Sequence, residues 1–158
     1  MAASPNPARP RFDVSHPRAY IDGNGAAQTR WTSIGTAFLG DAGISLILQY
    51  IPTAIEEGQT RCTLFPAKGD GESTPMPEGL PERFDVCHYR RFQVNREERT
   101  TRSRVGVAFT KRDCISVLLD SIPAARTEGA VRLFLRDASE QADAHDELQD
   151  DGVTDAAA

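Results

Sequence analysis

Two pairs of aspartate and histidine, each three residues apart, are the first candidates for chemistry: Asp13 with His16, and Asp85 with His88. Such side chains act as a general acid and base, or as metal ligands, when they reach one point. Both pairs lie in stretches rich in β-branched and aromatic residues, which predicts strands. Residues three apart in a strand point to opposite faces, so neither pair converges. We therefore expect both pairs to be structural, with no catalytic residue and no metal site.

Cofactor and nucleotide motifs are missing from the sequence. None of its 158 residues forms a phosphate loop, a dinucleotide fingerprint, a zinc spacing or a nucleophile elbow. Residues 69–75, GDGESTP, lack the lysine and the strand-helix context of a phosphate loop. The sequence thus predicts a protein that is not an enzyme and needs no cofactor.

Arginines and aromatic residues form a more informative pattern. Residues 83–113 contain nine basic and four acidic side chains. Proteins that bind single-stranded nucleic acid combine aromatic stacking platforms with cations that follow the phosphates. The predicted phosphate contacts are Arg90, Arg91, Arg99, Arg102 and Arg104. The predicted stacking residues are Trp31, Tyr20 and Phe92. The alternative interpretation is a solvated charged face with Trp31 in the core.

Small residues in the second strand of each half suggest a surface for a flat base. Strict alternation places Gly35 and Ala37 on the same outward face as Trp31, and it places Gly106 and Ala108 beside Arg102. Alternatively, these small residues admit a helix or the other half of the chain.

The elements that must position these residues occur twice. Residues 33–52 (SIGTAFLGDAGISLILQYIP) match residues 104–123 (RVGVAFTKRDCISVLLDSIP) at an offset of 71, and RFDV at residue 11 matches RFDV at residue 83. Self-similarity at a fixed period indicates a repeat architecture. The predicted domains are a flexible leader (1–10), a first β repeat (11–66), a Pro/Gly-rich linker (67–82), a second β repeat (83–137) and an acidic tail (138–158).

The predicted fold class is all-β or β-dominated α+β. Each repeat has four predicted strands, at 12–21, 29–38, 44–51 and 59–65 in the first and at matching positions in the second. Pro52 and Pro123 are expected to end the third strands. Units of this size bury little core alone, so we expect two antiparallel sheets packed about a pseudo-two-fold axis. A short helix is predicted over 138–149.

Charge and cysteine content bear on the compartment. The net charge of −5 divides into +3 for residues 1–136 and −8 for residues 137–158. Cys62, Cys87 and Cys114 form no pairing framework, which favours reduced thiols in a cytoplasmic protein. No apolar run reaches 18 residues and no signal-peptide pattern occurs, so no membrane span is predicted.

Both repeats carry an Ile/Val-Gly-x-Ala-Phe motif, a short turn and an apolar strand before a proline. This pattern resembles the Whirly and PUR-alpha families of single-stranded nucleic-acid-binding proteins, whose repeats are four strands followed by a helix. The resemblance implies that single-stranded DNA or RNA binds on a basic β-sheet face. A homodimer is a further expectation. The alternative is a structural or protein-interaction module that self-assembles or serves as an accessory subunit, which strands apolar on both faces favour.

Overall fold

The computed structural model describes residues 9–53, 55–69 and 74–139. It contains eight strands: β1 (Arg11–Ile21), β2 (Ala27–Leu39), β3 (Ile44–Leu48), β4 (Thr60–Pro66), β5 (Arg83–Val94), β6 (Glu97–Thr110), β7 (Ile115–Leu119) and β8 (Val131–Asp137). The predicted β-dominated class is confirmed. Residues 140–149 of the predicted helix lie outside the described residues. Within the described part of the chain, no helix is long and apolar enough to cross a membrane.

The eight strands form one closed antiparallel barrel in the order β1-β2-β3-β8-β5-β6-β7-β4. Within each half the first strand pairs with the second and the fourth, and the second pairs with the third. The two halves join along two seams, where β3 pairs with β8 and β4 pairs with β7. The halves therefore share one sheet and one core, while their pseudo-two-fold relation stays a prediction.

Alternating apolar side chains fill the barrel. One side of each strand is buried, and its largest fully buried members include Phe12, Phe84, Ile44, Leu46, Ile115 and Leu135. Because direct cross-strand partners share a face, apolar residues in every strand converge on one interior. This arrangement explains why neither repeat needs a core of its own.

A register shift in each long hairpin overturns one prediction. The pairing slips between Val14 and Ser15, so that Ile34 is an extra residue in β2 and is also buried. A β-bulge of this kind reverses the inward and outward alternation beyond it. Gly35 and Ala37 therefore face the barrel interior, whereas Trp31 faces outward. The predicted outward floor beside Trp31 is wrong.

The second half shows the same shift. Here the pairing slips between Val86 and Cys87, and Val105 is the extra, buried residue of β6. Ala108 is fully buried and Gly106 is buried, so neither forms an outward floor beside Arg102.

The third strands end earlier than predicted. β3 ends at Leu48, and β7 ends at Leu119, three residues before each predicted end. The backbone N–H groups of Gln49 and Tyr50 both donate to the carbonyl of the bulged Ile34. The chain therefore leaves the sheet at the bulge, before Pro52 can interrupt a ladder.

The Pro/Gly-rich connection also packs against the barrel. Met76 and Leu80 are partly buried against the core. The backbone N–H of Thr110 donates to the Glu82 carbonyl, and its hydroxyl donates to the Pro81 carbonyl at 2.6 Å. This segment therefore contributes apolar cover to one end of the barrel.

Both long hairpins project from the other end of the barrel. Neighbouring strands are antiparallel throughout, and β1 and β5 are four strands apart in either direction around the barrel. The two strands therefore run in the same direction on opposite sides. Residues 16–32 and 88–103 pair only within their own hairpins and extend beyond the barrel. We name these extensions arm 1 and arm 2.

Three free thiols differ in their burial, and this predicts their reactivity. Burial raises the pKa of the Cys62 thiol to about 12, and it also raises the pKa of Cys87 and of the half-buried Cys114. Since the thiolate is the reactive form, we expect Cys114 to be labelled first and Cys62 only after unfolding. Timed labelling at pH 8 with a disulfide reagent, followed by peptide mass spectrometry, measures the order. Native-state labelling of Cys62 as fast as that of Cys114 would contradict the buried position.

Candidate nucleic-acid interface

Each arm is closed by a turn that the local sequence supports. In arm 1, the Asp22 carboxylate accepts hydrogen bonds from the backbone N–H groups of Ala26 and Asn24, each at 2.9 Å. These bonds hold the pKa of Asp22 below its usual value. In arm 2, Asn95 and Arg96 both have positive φ, at 51° and 66°, as a two-residue hairpin turn requires. Both arms thus extend as regular two-stranded ribbons.

Each arm has two faces, which the register identifies. We call the side that continues the barrel interior the inner face, and the opposite side the outer face. His16 continues the buried series of Phe12 and Val14, so alternate residues from His16 onward lie on the inner face of arm 1. The arms stand on opposite sides of the barrel, and their inner faces are therefore directed toward the barrel axis at their bases.

The structure divides the predicted contacts between these faces. Four of them lie on inner faces: Tyr20 on arm 1, and Arg90, Phe92 and Arg99 on arm 2. The other four lie on outer faces: Trp31 on arm 1, Arg91 and Arg102 on arm 2, and Arg104 at the base of arm 2. The eight residues therefore do not form one continuous surface.

The inner face of arm 2 combines a cation with an aromatic ring. The Arg90 guanidinium lies 5.5 Å from the centroid of the Phe92 ring, and Arg99 is the direct cross-strand partner of Phe92. Arg99 also lies 3.8 Å from the exposed carboxylate of Glu97. Exposed ion pairs of this length contribute little, so Arg99 can exchange Glu97 for another anion.

Outer-face residues of arm 2 are more closely tied to the barrel. Arg104 lies 3.5 Å from the carboxylate of Asp85, and Arg136 donates to the Tyr89 hydroxyl at 3.2 Å. Tyr89 in turn packs edge-on against Phe134, with ring centroids 6.3 Å apart. These contacts give the outer side of this arm a structural role at its base.

Trp31 makes a comparable contact on the outer face of arm 1. Its ring meets Phe65 of β4 edge-on, with centroids 5.1 Å apart, yet 49% of the residue remains exposed. It belongs neither to the core nor to the inner faces.

Sequence reasoning missed Arg18 and Arg30 on arm 1. They are direct cross-strand partners on the inner face, and both are exposed. A signal was present for Arg18, because the repeat aligns it with Arg90 at the same offset of 72 that aligns the RFDV segments. Arg30 has no such signal, since Thr101 occupies its place in arm 2.

Large exposed hydrophobic side chains collect at the arm end of the barrel. Over the described residues, all of them lie on the arms or in the connection from β3 to β4: Tyr20, Ile21, Trp31, Tyr50, Ile55, Tyr89 and Val94. Because the large exposed hydrophobic side chains of the described residues are confined to this end, the arm end is the candidate functional end of the molecule.

The two aspartate and histidine pairs do not converge, as predicted. Asp13 is on the outside of the barrel wall, and His16 is on the inside. Among the residues that the structure describes, no cluster of three His, Cys, Asp or Glu side chains has the geometry of a metal site.

Comparison with protein-family models, curated proteins and solved structures finds no match for this chain. The resemblance to the Whirly and PUR-alpha families therefore stays a prediction from the sequence pattern.

Proposed function

We propose that this protein binds single-stranded nucleic acid at its arm end, without a catalytic step. The nucleic-acid strand lies across the end of the barrel, between the inner faces of arm 1 and arm 2. Arg90 and Arg99 of arm 2 contact phosphates from one side, and Arg18 and Arg30 of arm 1 contact them from the other. Phe92 or Tyr20 stacks on the unpaired bases.

The observation that carries this proposal is the placement of Arg90 and Arg99 around Phe92. A base can replace the guanidinium over an aromatic ring, because both groups stack on its face. The displaced arginine is then free to pair with a neighbouring phosphate. Single strands fit this arrangement better than duplexes, whose bases are not available for stacking on a side chain.

The distribution of charge also supports binding at the arm end of the molecule. Arm 2 contains five arginines and two glutamates, which gives it a formal charge of +3. A local positive potential attracts a polyanion even when the chain as a whole is acidic.

Binding to a labelled oligonucleotide tests the proposal. We expect the fluorescence anisotropy of a single strand of about 16 nucleotides to rise on addition of the protein. We also expect the affinity to fall steeply between about 50 mM and 200 mM salt, because the released counterions oppose binding. A duplex of the same sequence is the control and should bind more weakly. An anisotropy that does not change with either nucleic acid would refute the proposal.

A second candidate function is a protein-interaction or self-assembly module. It is favoured by Ile21, Tyr50 and Ile55, which are each exposed by about two thirds (68%, 67% and 66%) at the arm end. Sedimentation separates the two candidates. A large oligomer that persists in high salt and has no affinity for oligonucleotides would favour this second function.

A further inference from the structure

A cavity of about 600 Å³ lies at the base of arm 1. Its walls are the inner side of the β1–β2 hairpin and the segment that follows β3, and its lining includes His16, Arg18, Thr32, Tyr50 and Thr53. This volume is in the range of pockets that hold small ligands.

His16 lines this cavity with incomplete hydrogen bonding. The residue is 8% exposed, and its Nδ1 lies 2.5 Å from the carbonyl oxygen of Arg61, to which it donates. Its Nε2 is covered and has no hydrogen-bond partner among the described residues. A buried polar atom without a partner destabilises the free protein, so its presence calls for a physical reason. A ligand atom that displaced the cover of Nε2 would supply the missing partner.

One arginine of the lining, together with its cross-strand partner, points to the charge of that ligand. Arg18 lines the cavity, and Arg30 is its direct cross-strand partner. Like charges in this arrangement repel and destabilise the pair. Neither arginine forms an ion pair with any carboxylate in the described part of the chain. An anion bound between them would relieve the repulsion.

The remaining wall is apolar and aromatic. Tyr50 exposes 67% of its surface, and Ile51 and Pro52 follow it along the lining. Together with the hydroxyls of Thr32 and Thr53, they suit a ligand that has a flat body and a polar rim.

We propose that this cavity binds the phosphate monoester of a nucleotide. Arg18 and Arg30 hold the phosphate, His16 Nε2 hydrogen-bonds to the ligand, and Tyr50 stacks on the base. This inference rests on the proposed function in one respect. When a nucleic-acid strand is bound, the end of that strand supplies the nucleotide. A free mononucleotide presents the same chemistry.

Calorimetric titration with AMP, adenosine and inorganic phosphate tests the site directly. AMP should bind more tightly than either fragment, and R18A should weaken AMP binding by about tenfold or more, because a charge-assisted hydrogen bond is lost. R11A, which alters an exposed arginine at the other end of β1, should bind AMP as the unaltered protein does. In nitrogen NMR spectra, the imidazole signals of His16 should shift on addition of AMP and those of His88 should not.

Single strands that differ only in a terminal phosphate distinguish the two sources of the ligand. Tighter binding of the phosphorylated strand, lost in R18A, supports the strand end as the ligand. AMP binding without any binding of oligonucleotides supports a mononucleotide site and refutes the proposed function. Equal binding of both strands, with no heat from AMP, overturns this inference and leaves the proposed function standing. AMP binding that is equally tight in R18A also overturns it.

Discussion

Alanine at Gly106 or at Gly35 is expected to destabilise the barrel severely. At Gly35 a β-carbon would overlap the carbonyl oxygen of Ile47 and lie 3.0 Å from its carbonyl carbon. At Gly106 it would overlap the carbonyl oxygen of Leu118 and lie 3.0 Å from the Cα of Leu119. Both obstacles are backbone atoms of a paired strand, which cannot rotate away as a side chain can. Relief requires the second and third strands of that half to separate.

We expect each substitution to lower the free energy of unfolding by about 3 kcal/mol or more, which lies in the upper part of the range for single changes. The melting temperature of a domain of this size should then fall by about 10 °C. Thermal and urea unfolding followed by circular dichroism measures both quantities.

Gly23→Ala is the matched control for these substitutions. Gly23 lies in the turn of arm 1, and a β-carbon there meets no other atom within 4 Å. We expect its effect to stay within about 0.5 kcal/mol. Equal melting temperatures for Gly106→Ala and Gly23→Ala would contradict the close approach of β6 to β7 beside the bulge.

Reversing two charges on the inner face of arm 2 should nearly abolish nucleic-acid binding. The double variant R90E/R99E removes two proposed phosphate contacts and places two carboxylates beside Phe92. Each lost charge-assisted hydrogen bond costs about 1.5 kcal/mol or more, so the affinity should fall by at least about 100-fold. For a single strand, the slope of log K against log salt should become shallower by about 1.4. Anisotropy titrations at several salt concentrations provide both values.

The control reverses the same number of charges on the other side of the same arm. R91E/R102E has the same net charge as R90E/R99E, but the register places Arg91 and Arg102 on the outer face. Long-range attraction weakens equally in both variants, so only direct contacts can distinguish them. We expect R91E/R102E to lose far less affinity and to keep most of the salt slope. Equal losses of affinity in the two double variants would show that the bound nucleic-acid strand does not follow the inner faces.

The strands and the hairpins were largely predictable from the sequence. β-branched and aromatic residues in 12–21 and 84–94, together with the repeat that relates the two stretches, predicted the first strands. The early end of β3 at Leu48 was not predictable in the same way. It depends on two backbone N–H groups that both donate to the Ile34 carbonyl, and hydrophobic periodicity does not reveal such hydrogen bonds.

The candidate site was only half predictable for a related reason. Periodicity assumes an unbroken strand, and the extra residues Ile34 and Val105 reverse the alternation in the middle of the second strands. Trp31 and Arg102 consequently changed sides relative to Gly35 and Gly106. Arg18 and Arg30 became a pair only because β1 and β2 align them across the ribbon.

The amino-acid sequence by itself determined that this chain is made of antiparallel strands in two similar halves, because side-chain alternation and self-similarity are local and one-dimensional. Tertiary structure alone decided that the halves close one barrel, that both arms leave from the same end, and that the arginines divide between two faces. These features depend on which strands pair and where the register slips. Such pairings are contacts between residues far apart in the chain, and a local sequence pattern does not determine their energies.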